Sequence, residues 1–84
     1  MTRAEIQGKV AHALASVAPE LDAASIKADV ALRDQVDLDS MDFLRFVIAL
    51  HREFGVEVPE VDYQKLTRLA GVVDYVATRL GVDA

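Results

Sequence analysis

One serine stands where a reactive side chain could act, at the change from an acidic loop to an amphipathic stretch. Ser40 follows Asp39, and the amphipathic stretch continues from Ser40 to Phe54. A serine hydroxyl in this position can act as a nucleophile, cap the first turn of a helix, or carry a covalently attached group. The surrounding residues decide which of these chemistries the chain can support.

A nucleophilic serine needs a base within hydrogen-bond reach, and the chain offers none near Ser40. The only histidines are His12 and His51. His51 follows Ser40 by about three helical turns, or about 16 Å along a helix axis. The sequence also lacks a glycine-rich phosphate loop and a His-Glu-x-x-His zinc pattern. We therefore expect a protein that is not an enzyme.

Four aspartates lie around Ser40, namely Asp34, Asp37, Asp39 and Asp42. Their spacing lacks the regular alternation of a calcium loop, with its glycine and terminal glutamate. The chain has no cysteine, which excludes disulfides and thiolate zinc sites. We expect a solvated acidic loop and no metal site.

The composition fits one acidic globular domain spanning residues 1–84. Its net charge of −5 argues against nucleic-acid binding, because a binder of phosphates presents a basic face. No apolar run is long enough to span a membrane, and the N-terminus lacks an apolar signal core. We expect a cytoplasmic monomer.

The first predicted helix begins at Thr2, which has capping-box spacing to Glu5. Pro19 ends it near Ala18. A long connection over residues 19–39 follows, and loops of this length tend to be functional. We expect a short helical turn within Ala23–Lys27. The predicted apolar face of the helix is Ile6, Val10, Leu14 and Val17, and the loop residues expected to pin onto the core are Leu21, Ile26, Val30, Leu32, Val36 and Leu38.

The second predicted helix runs from Ser40 to Phe54, where Gly55 stops it. Apolar residues cover more of its circumference than a core stripe needs. An apolar strip with a charged rim beside an exposed serine is typical of a contact surface. The predicted core residues are Phe43, Phe46, Val47, Leu50 and Phe54. The predicted contact surface comprises Met41, Asp42, Leu44, Arg45, Ile48 and Arg52.

Two further helices complete the expected architecture. A short one covers about Glu60–Lys65, with Val61 and Leu66 facing the core. Thr67 is the expected N-cap of the last helix, and Gly81 ends it. The sequence thus predicts an all-α four-helix bundle with three longer helices and one short third helix. The apolar face of the last helix is Leu69, Val72, Val73, Val76 and Leu80.

Nearly the whole chain resembles the acyl carrier proteins. Asp39-Ser40-Met41 is similar to their Asp-Ser-Leu signature, in which the serine receives 4′-phosphopantetheine from coenzyme A. Leu32-Arg33-Asp34 resembles the family's segment before the signature, and Lys65-Leu66-Thr67 its entry to the last helix. Further similarities at the family's usual distances are Ala49-Leu50, Glu53-Phe54, Val58-Pro59 and Asp74-Tyr75-Val76.

The resemblance implies an acyl-carrier-like fold in which Ser40 carries a covalent 4′-phosphopantetheine arm. The arm would supply the thiol that this cysteine-free chain lacks. Acyl groups would then pass as thioesters between enzymes of fatty-acid, polyketide or related specialised lipid pathways. Asp39 would flank the attachment site, and Met41 would contact the arm. The implied partners are a phosphopantetheinyl transferase, an acyl-loading ligase or transferase, and downstream synthases.

The second helix departs from that of the fatty-acid carriers, whose outer face is strongly acidic. Arg45, His51 and Arg52 stand where carboxylates are usual, and they would repel the basic patches of the usual partners. We therefore hypothesise a specialised carrier with dedicated partners. Two alternatives are an aminoacyl or peptidyl carrier, against which the absence of Gly-Gly before the serine argues, and a helical interaction domain in which Ser40 is only a helix cap.

Overall fold

The computed structural model describes residues 1–22, 25–36 and 38–82, and in these ranges the chain is predominantly helical. The elements are α1 (Arg3–Val17), α2 (Leu32–Gln35), α3 (Ser40–Phe54), the 3₁₀ helix η1 (Glu60–Leu66) and α4 (Leu69–Leu80). The predicted all-α architecture with three longer helices is confirmed. Among the helices of the described residues, none has both the length and the apolar character that crossing a bilayer requires.

The capping box predicted at the start of α1 is present. The Thr2 hydroxyl accepts a hydrogen bond from the Glu5 backbone N–H at 3.2 Å, and a Glu5 carboxylate oxygen accepts one from the Thr2 N–H at 3.1 Å. The helix ends at Val17, with Ala18 as its C-cap. Both ends therefore follow from local signals in the sequence, since Pro19 comes next.

The core lies where α1 packs against α3 and α4. Ion pairs cross both contacts at the surface: Arg3 with Asp74, and Lys9 with Glu53 at 3.7 Å. The predicted core is largely confirmed, although Phe43 and Phe54 are only partly buried. The largest fully buried side chains are Phe46, Ile6, Leu14, Leu50, Leu66, Val10, Val72 and Val76.

The long connection contains a helical element that the sequence did not predict, α2. A single turn is too short to show helical periodicity in a sequence. Gln35 ties this turn to the loop before it: its side-chain oxygen accepts from Lys27 N–H at 2.6 Å, and its amide donates to the carbonyls of Lys27 at 2.8 Å and Val30 at 2.9 Å. The expected turn at Ala23–Lys27 lies partly outside the described residues.

The connection is also tied to the start of α4. Leu32 N–H donates to the Thr67 carbonyl at 2.8 Å, and Ala70 N–H donates to the Ala28 carbonyl at 2.9 Å. Most of the apolar residues expected to pin the loop do so: Leu32, Val36 and Leu38 are buried, and Leu21 and Ile26 pack against the core. The loop before Ser40 is therefore held by both backbone and side-chain contacts.

The inward position predicted for Val61 is wrong, since Val61 is 84% exposed. The element is a 3₁₀ helix with about three residues per turn, so residues three apart share a face. Leu66 is buried as predicted, and Tyr63, three positions earlier, packs against the core. Val61 is five residues before Leu66, a spacing that puts the two side chains on one face of neither an α-helix nor a 3₁₀ helix.

Two predictions for α4 are also wrong. Its N-cap is Arg68, which makes no side-chain capping bond. The carbonyl of Thr67, the predicted cap, accepts the hydrogen bond from Leu32 N–H. Leu80 is exposed in the last turn, whereas Tyr75 is buried. The predicted stop at Gly81 is confirmed, and Gly81 has a positive φ of 72°.

Candidate attachment site at the start of α3

Asp39 is the N-cap of α3. Its Oδ1 accepts a hydrogen bond from Asp42 N–H at 2.8 Å, and its carbonyl accepts one from Phe43 N–H at 3.0 Å. Its backbone is extended, with φ −86° and ψ −178°. Ser40 is therefore the first helical residue, and the alternative in which Ser40 serves only as the cap is wrong.

The Ser40 side chain is exposed, and none of the described residues accepts or donates a hydrogen bond to its hydroxyl. The first N–H groups of a helix have no partner within that helix, and the helix dipole adds partial positive charge there. Because Asp39 engages the N–H groups of Asp42 and Phe43, those of Ser40 and Met41 remain to face an anion. A group carrying negative charge on the Ser40 oxygen would be stabilised at this end of α3.

A groove of about 690 Å³ opens beside Ser40. Its walls come from three segments: the loop with α2, the first turns of α3, and η1. Leu38, Phe43 and Leu66 give it an apolar lining, while Arg33 and Glu60 contribute charge. A small-molecule pocket is typically about 300–1,000 Å³ and mostly apolar, so this groove is large enough for part of an attached arm or its cargo.

The residues of the predicted contact surface come together on α3. Met41, Leu44 and Ile48 are 59%, 41% and 49% exposed. Met41, Arg45, Ile48 and Arg52 follow one another at intervals of four and three residues, so they form one stripe along the helix. The stripe combines apolar area with two positive charges.

The charged members of the contact surface differ in their partners. Arg45 lies 3.8 Å from a carboxylate oxygen of Asp42, which is partly buried at the edge of the surface. Arg52 is exposed and makes no ion pair with any described residue. His51, also exposed, lines a second pocket between α3 and the segment before η1. The outward stripe of this acidic protein is thus locally basic.

An aromatic contact that the sequence did not reveal crosses the groove. The rings of Phe43 on α3 and Tyr63 on η1 meet edge to face, with centroids 5.4 Å apart and planes at 70°. Tyr63 carries no motif and is twenty residues from Phe43, so only the tertiary arrangement identifies the pair.

A second contact missed from the sequence fixes η1 to α4. The Tyr75 hydroxyl donates to Asp62 Oδ2 at 2.7 Å, and Arg79 donates to the Tyr75 oxygen at 2.7 Å. Arg79 also reaches Asp62 Oδ2 at 3.3 Å, and Lys65 lies 3.4 Å from Asp62 Oδ1. The hydrogen bond from Tyr75 lowers the pKa of Asp62. The pKa of Tyr75 is raised, mainly by burial and to a smaller extent by the same hydrogen bond.

No three histidine, cysteine, aspartate or glutamate side chains converge as metal ligands within the described part of the chain. The aspartates near Ser40 act instead as a helix cap and as an ion-pair partner, as described for Asp39 and Asp42. Asp37 lies outside the described residues.

Comparison with known proteins identifies the group attached at such a site. The family model described as "phosphopantetheine attachment site" matches residues 8–76. The acyl carrier protein of Lactobacillus johnsonii is 34% identical over 76 residues, which cover 90% of this chain and 94% of that protein. The acyl carrier protein of Clostridium acetobutylicum is 32% identical over 56 residues, covering 67% and 73%.

A solved structure of the acyl carrier protein from Enterococcus faecalis has the same fold. It matches with a TM-score of 0.76 and 31% identity, over 93% of this chain and 98% of that one. The family match, the relatives and the fold agree. The chain belongs to the acyl carrier protein family, whose members are phosphopantetheine-bearing carriers and not enzymes.

Proposed function

We propose that Ser40 is the residue to which 4′-phosphopantetheine is attached, and that the chain carries acyl groups as thioesters on this arm. The observation that carries the proposal is the placement of Ser40. Its exposed hydroxyl has no hydrogen-bond partner among the described residues, and it lies at the rim of the groove on the first residue of α3. A transferase can reach this oxygen without first breaking a contact.

The residues around Ser40 fit the chemistry of such an arm. The free N–H groups and the dipole at the start of α3 would stabilise its phosphodiester. Asp39 holds the first turn through Oδ1, and its other carboxylate oxygen has no hydrogen bond to any described residue. That oxygen is available to bind a cation brought by the transferase. The arm supplies the thiol to which the acyl group is attached.

The contact surface on α3 supports docking of partner enzymes beside the arm. Met41, Leu44 and Ile48 provide exposed apolar area next to Ser40, and Arg45 and Arg52 add positive charge. Complementary charge accelerates encounter and excludes partners of the same sign. We therefore infer partners that present carboxylates around an apolar site, in a specialised lipid or polyketide pathway with its own loading enzyme.

The buried residues also support a single carrier domain over residues 1–84. One hydrophobic cluster includes residues from Ile6 in α1 to Ala77 in α4, and Val82 packs against it. A domain with one continuous core can act as one unit.

Intact-protein mass spectrometry tests the attachment. The chain would be incubated with coenzyme A and a phosphopantetheinyl transferase of broad specificity. We expect a mass increase equal to one arm in the wild type and none in Ser40→Ala. Ser25→Ala is the matched control, because Ser25 is also exposed but its hydroxyl donates to the Asp22 carbonyl, away from the groove. A mass increase retained in Ser40→Ala would contradict the proposal.

A further inference from the structure

We propose that the edge-to-face rings of Phe43 and Tyr63 close the interior of the bundle to the acyl cargo. The cargo then rests in the open groove beside Ser40, and its thioester stays accessible to solvent and to partner enzymes. This inference rests on the proposed function, since it concerns an acyl group held on an arm at Ser40.

The pair joins the two walls of the groove. Phe43 comes from the first turn of α3 and Tyr63 from the middle of η1, and both line the groove. Their centroids are 5.4 Å apart in an edge-to-face arrangement. Such a contact is worth about 0.5–1.5 kcal/mol beyond the area it buries, so the two walls are held together there.

Packed side chains stand behind the pair. The Phe43 ring centroid is 6.5 Å from that of Phe46, which is fully buried, as is Leu66 on the η1 side. A protein interior of this kind leaves few voids larger than a water molecule. An acyl chain that entered from the groove would therefore have to displace Phe43 or Tyr63 first.

Tyr63 also separates the groove from its neighbour. A second pocket, of about 440 Å³, lies further along α3 and is lined by Val47, Ile48 and Val58 among others. Leu44 and Tyr63 line both pockets. The Tyr63 ring therefore limits the groove in two directions, towards the core and along the helix.

The position of Tyr63 is fixed by its neighbours in η1. Asp62, the preceding residue, accepts the hydrogen bond from Tyr75 and pairs with Arg79 and Lys65. At the end of η1, the Lys65 carbonyl lies against Gly71 of α4. These contacts hold η1 in place, so the aromatic wall does not depend on the two rings alone.

The test uses thioester accessibility as its readout. Holo protein would be loaded with a series of acyl groups from acetyl to palmitoyl, and the rate of thioester cleavage by hydroxylamine would be measured for each. We expect the wild-type rate to be nearly independent of acyl length, because a longer chain gains no shelter. In Tyr63→Ala we expect cleavage of the longer acyl groups to slow several-fold, because without the ring a long chain can pass from the groove towards the core and draw its thioester away from solvent. Tyr63→Phe keeps the ring and should behave as the wild type.

Two results would overturn the inference. One is a wild-type rate that falls steadily as the acyl group lengthens, which would show that the interior already admits the chain. The other is a Tyr63→Ala profile identical to that of the wild type, with unchanged circular dichroism. Neither result affects the proposed function. That proposal fails if intact-mass measurement shows that Ser40→Ala still acquires the arm. Tyr63→Leu provides a second variant that retains more of the buried volume.

Discussion

The hydroxyl of Tyr75 donates a hydrogen bond to Oδ2 of Asp62 across 2.7 Å, and this contact joins α4 to η1. Arg79 stacks over the Tyr75 ring at 4.9 Å and bonds to both partners. Because η1 supplies one wall of the groove beside Ser40, the Tyr75–Asp62 bond helps to hold that wall in place. It also makes the stability of this end of the molecule depend on pH.

Tyr75→Phe should be less stable than the wild type at neutral pH, and the difference should shrink at both pH extremes. The fold lowers the pKa of Asp62, so ionised Asp62 stabilises the folded state above the ordinary aspartate pKa of about 3.9. This contribution is lost as pH falls through the lowered pKa of the folded state. The raised pKa of Tyr75 stabilises the fold below about pH 10, and this contribution is lost as pH rises through the raised pKa. Urea unfolding at acidic, neutral and alkaline pH measures this. A difference that stays constant across pH would contradict it.

Gly71→Ala should destabilise the protein. A Cβ at Gly71 would lie 2.5 Å from the Lys65 carbonyl oxygen, so the backbone of η1 or α4 must shift. Overpacking of this kind typically costs about 1–3 kcal/mol. Gly8→Ala is the matched control, because nothing lies within 4 Å of its Cβ position and alanine stabilises a helix interior by about 1 kcal/mol over glycine. Thermal and urea unfolding should therefore give shifts of opposite sign, and a shared sign would refute the close approach.

Variants of Asp39 should separate its two roles. Asp39→Ala removes the cap bond to Asp42 and should cost about 1 kcal/mol of unfolding free energy. Asp39→Ser retains a capping oxygen, so its stability should stay close to that of the wild type. If the carboxylate also assists attachment of the arm, both variants should be modified more slowly by the transferase. An Asp39→Ser protein modified at the wild-type rate would leave Asp39 as a cap only.

Reversing the charge of the α3 stripe should change which partners the carrier accepts. Arg45→Glu with Arg52→Glu should increase acyl loading by general fatty-acid enzymes that present basic docking surfaces. The measurement is kcat/KM for loading of the holo protein at low and high salt, and the gain should diminish as salt screens the charges. Arg68→Glu, off α3 at the N-cap of α4, is the matched control. No gain in the double variant would reject the proposed selectivity.

Features with a local cause were predicted well from the sequence. The capping box of Thr2 and Glu5 and the stop at Gly55 depend on residues within one turn, and Gly55 indeed adopts the positive φ of 69° that favours glycine. The amphipathic pattern of α3 likewise revealed both its buried face and its exposed strip. The candidate attachment residue, Ser40, was predicted from the Asp39-Ser40-Met41 motif together with the spacing of further family motifs along the chain.

Features with a tertiary cause were missed. Thr67 looks like an N-cap, but its carbonyl is engaged by Leu32 from a segment far earlier in the chain. Val61 is apolar, yet the packing of η1 buries Leu66 and leaves Val61 exposed to solvent. Tyr63 meets Phe43 across twenty residues and Tyr75 meets Asp62 across thirteen, and no helical spacing links either pair. Each of these outcomes depends on how distant segments pack, which periodicity in one segment does not encode.

The hydrogen bonds from Leu32 to Thr67 and from Ala70 to Ala28 couple the connection before α3 to the start of α4. The segment that leads into Ser40 and the first turn of α4 therefore open as one cooperative unit, and the amides of Leu32 and Ala70 should exchange with solvent together. Order around Ser40, the candidate attachment residue, therefore depends on α4, which comes later in the chain. During synthesis, the segment before Ser40 should therefore become ordered only after α4 has been made and has docked.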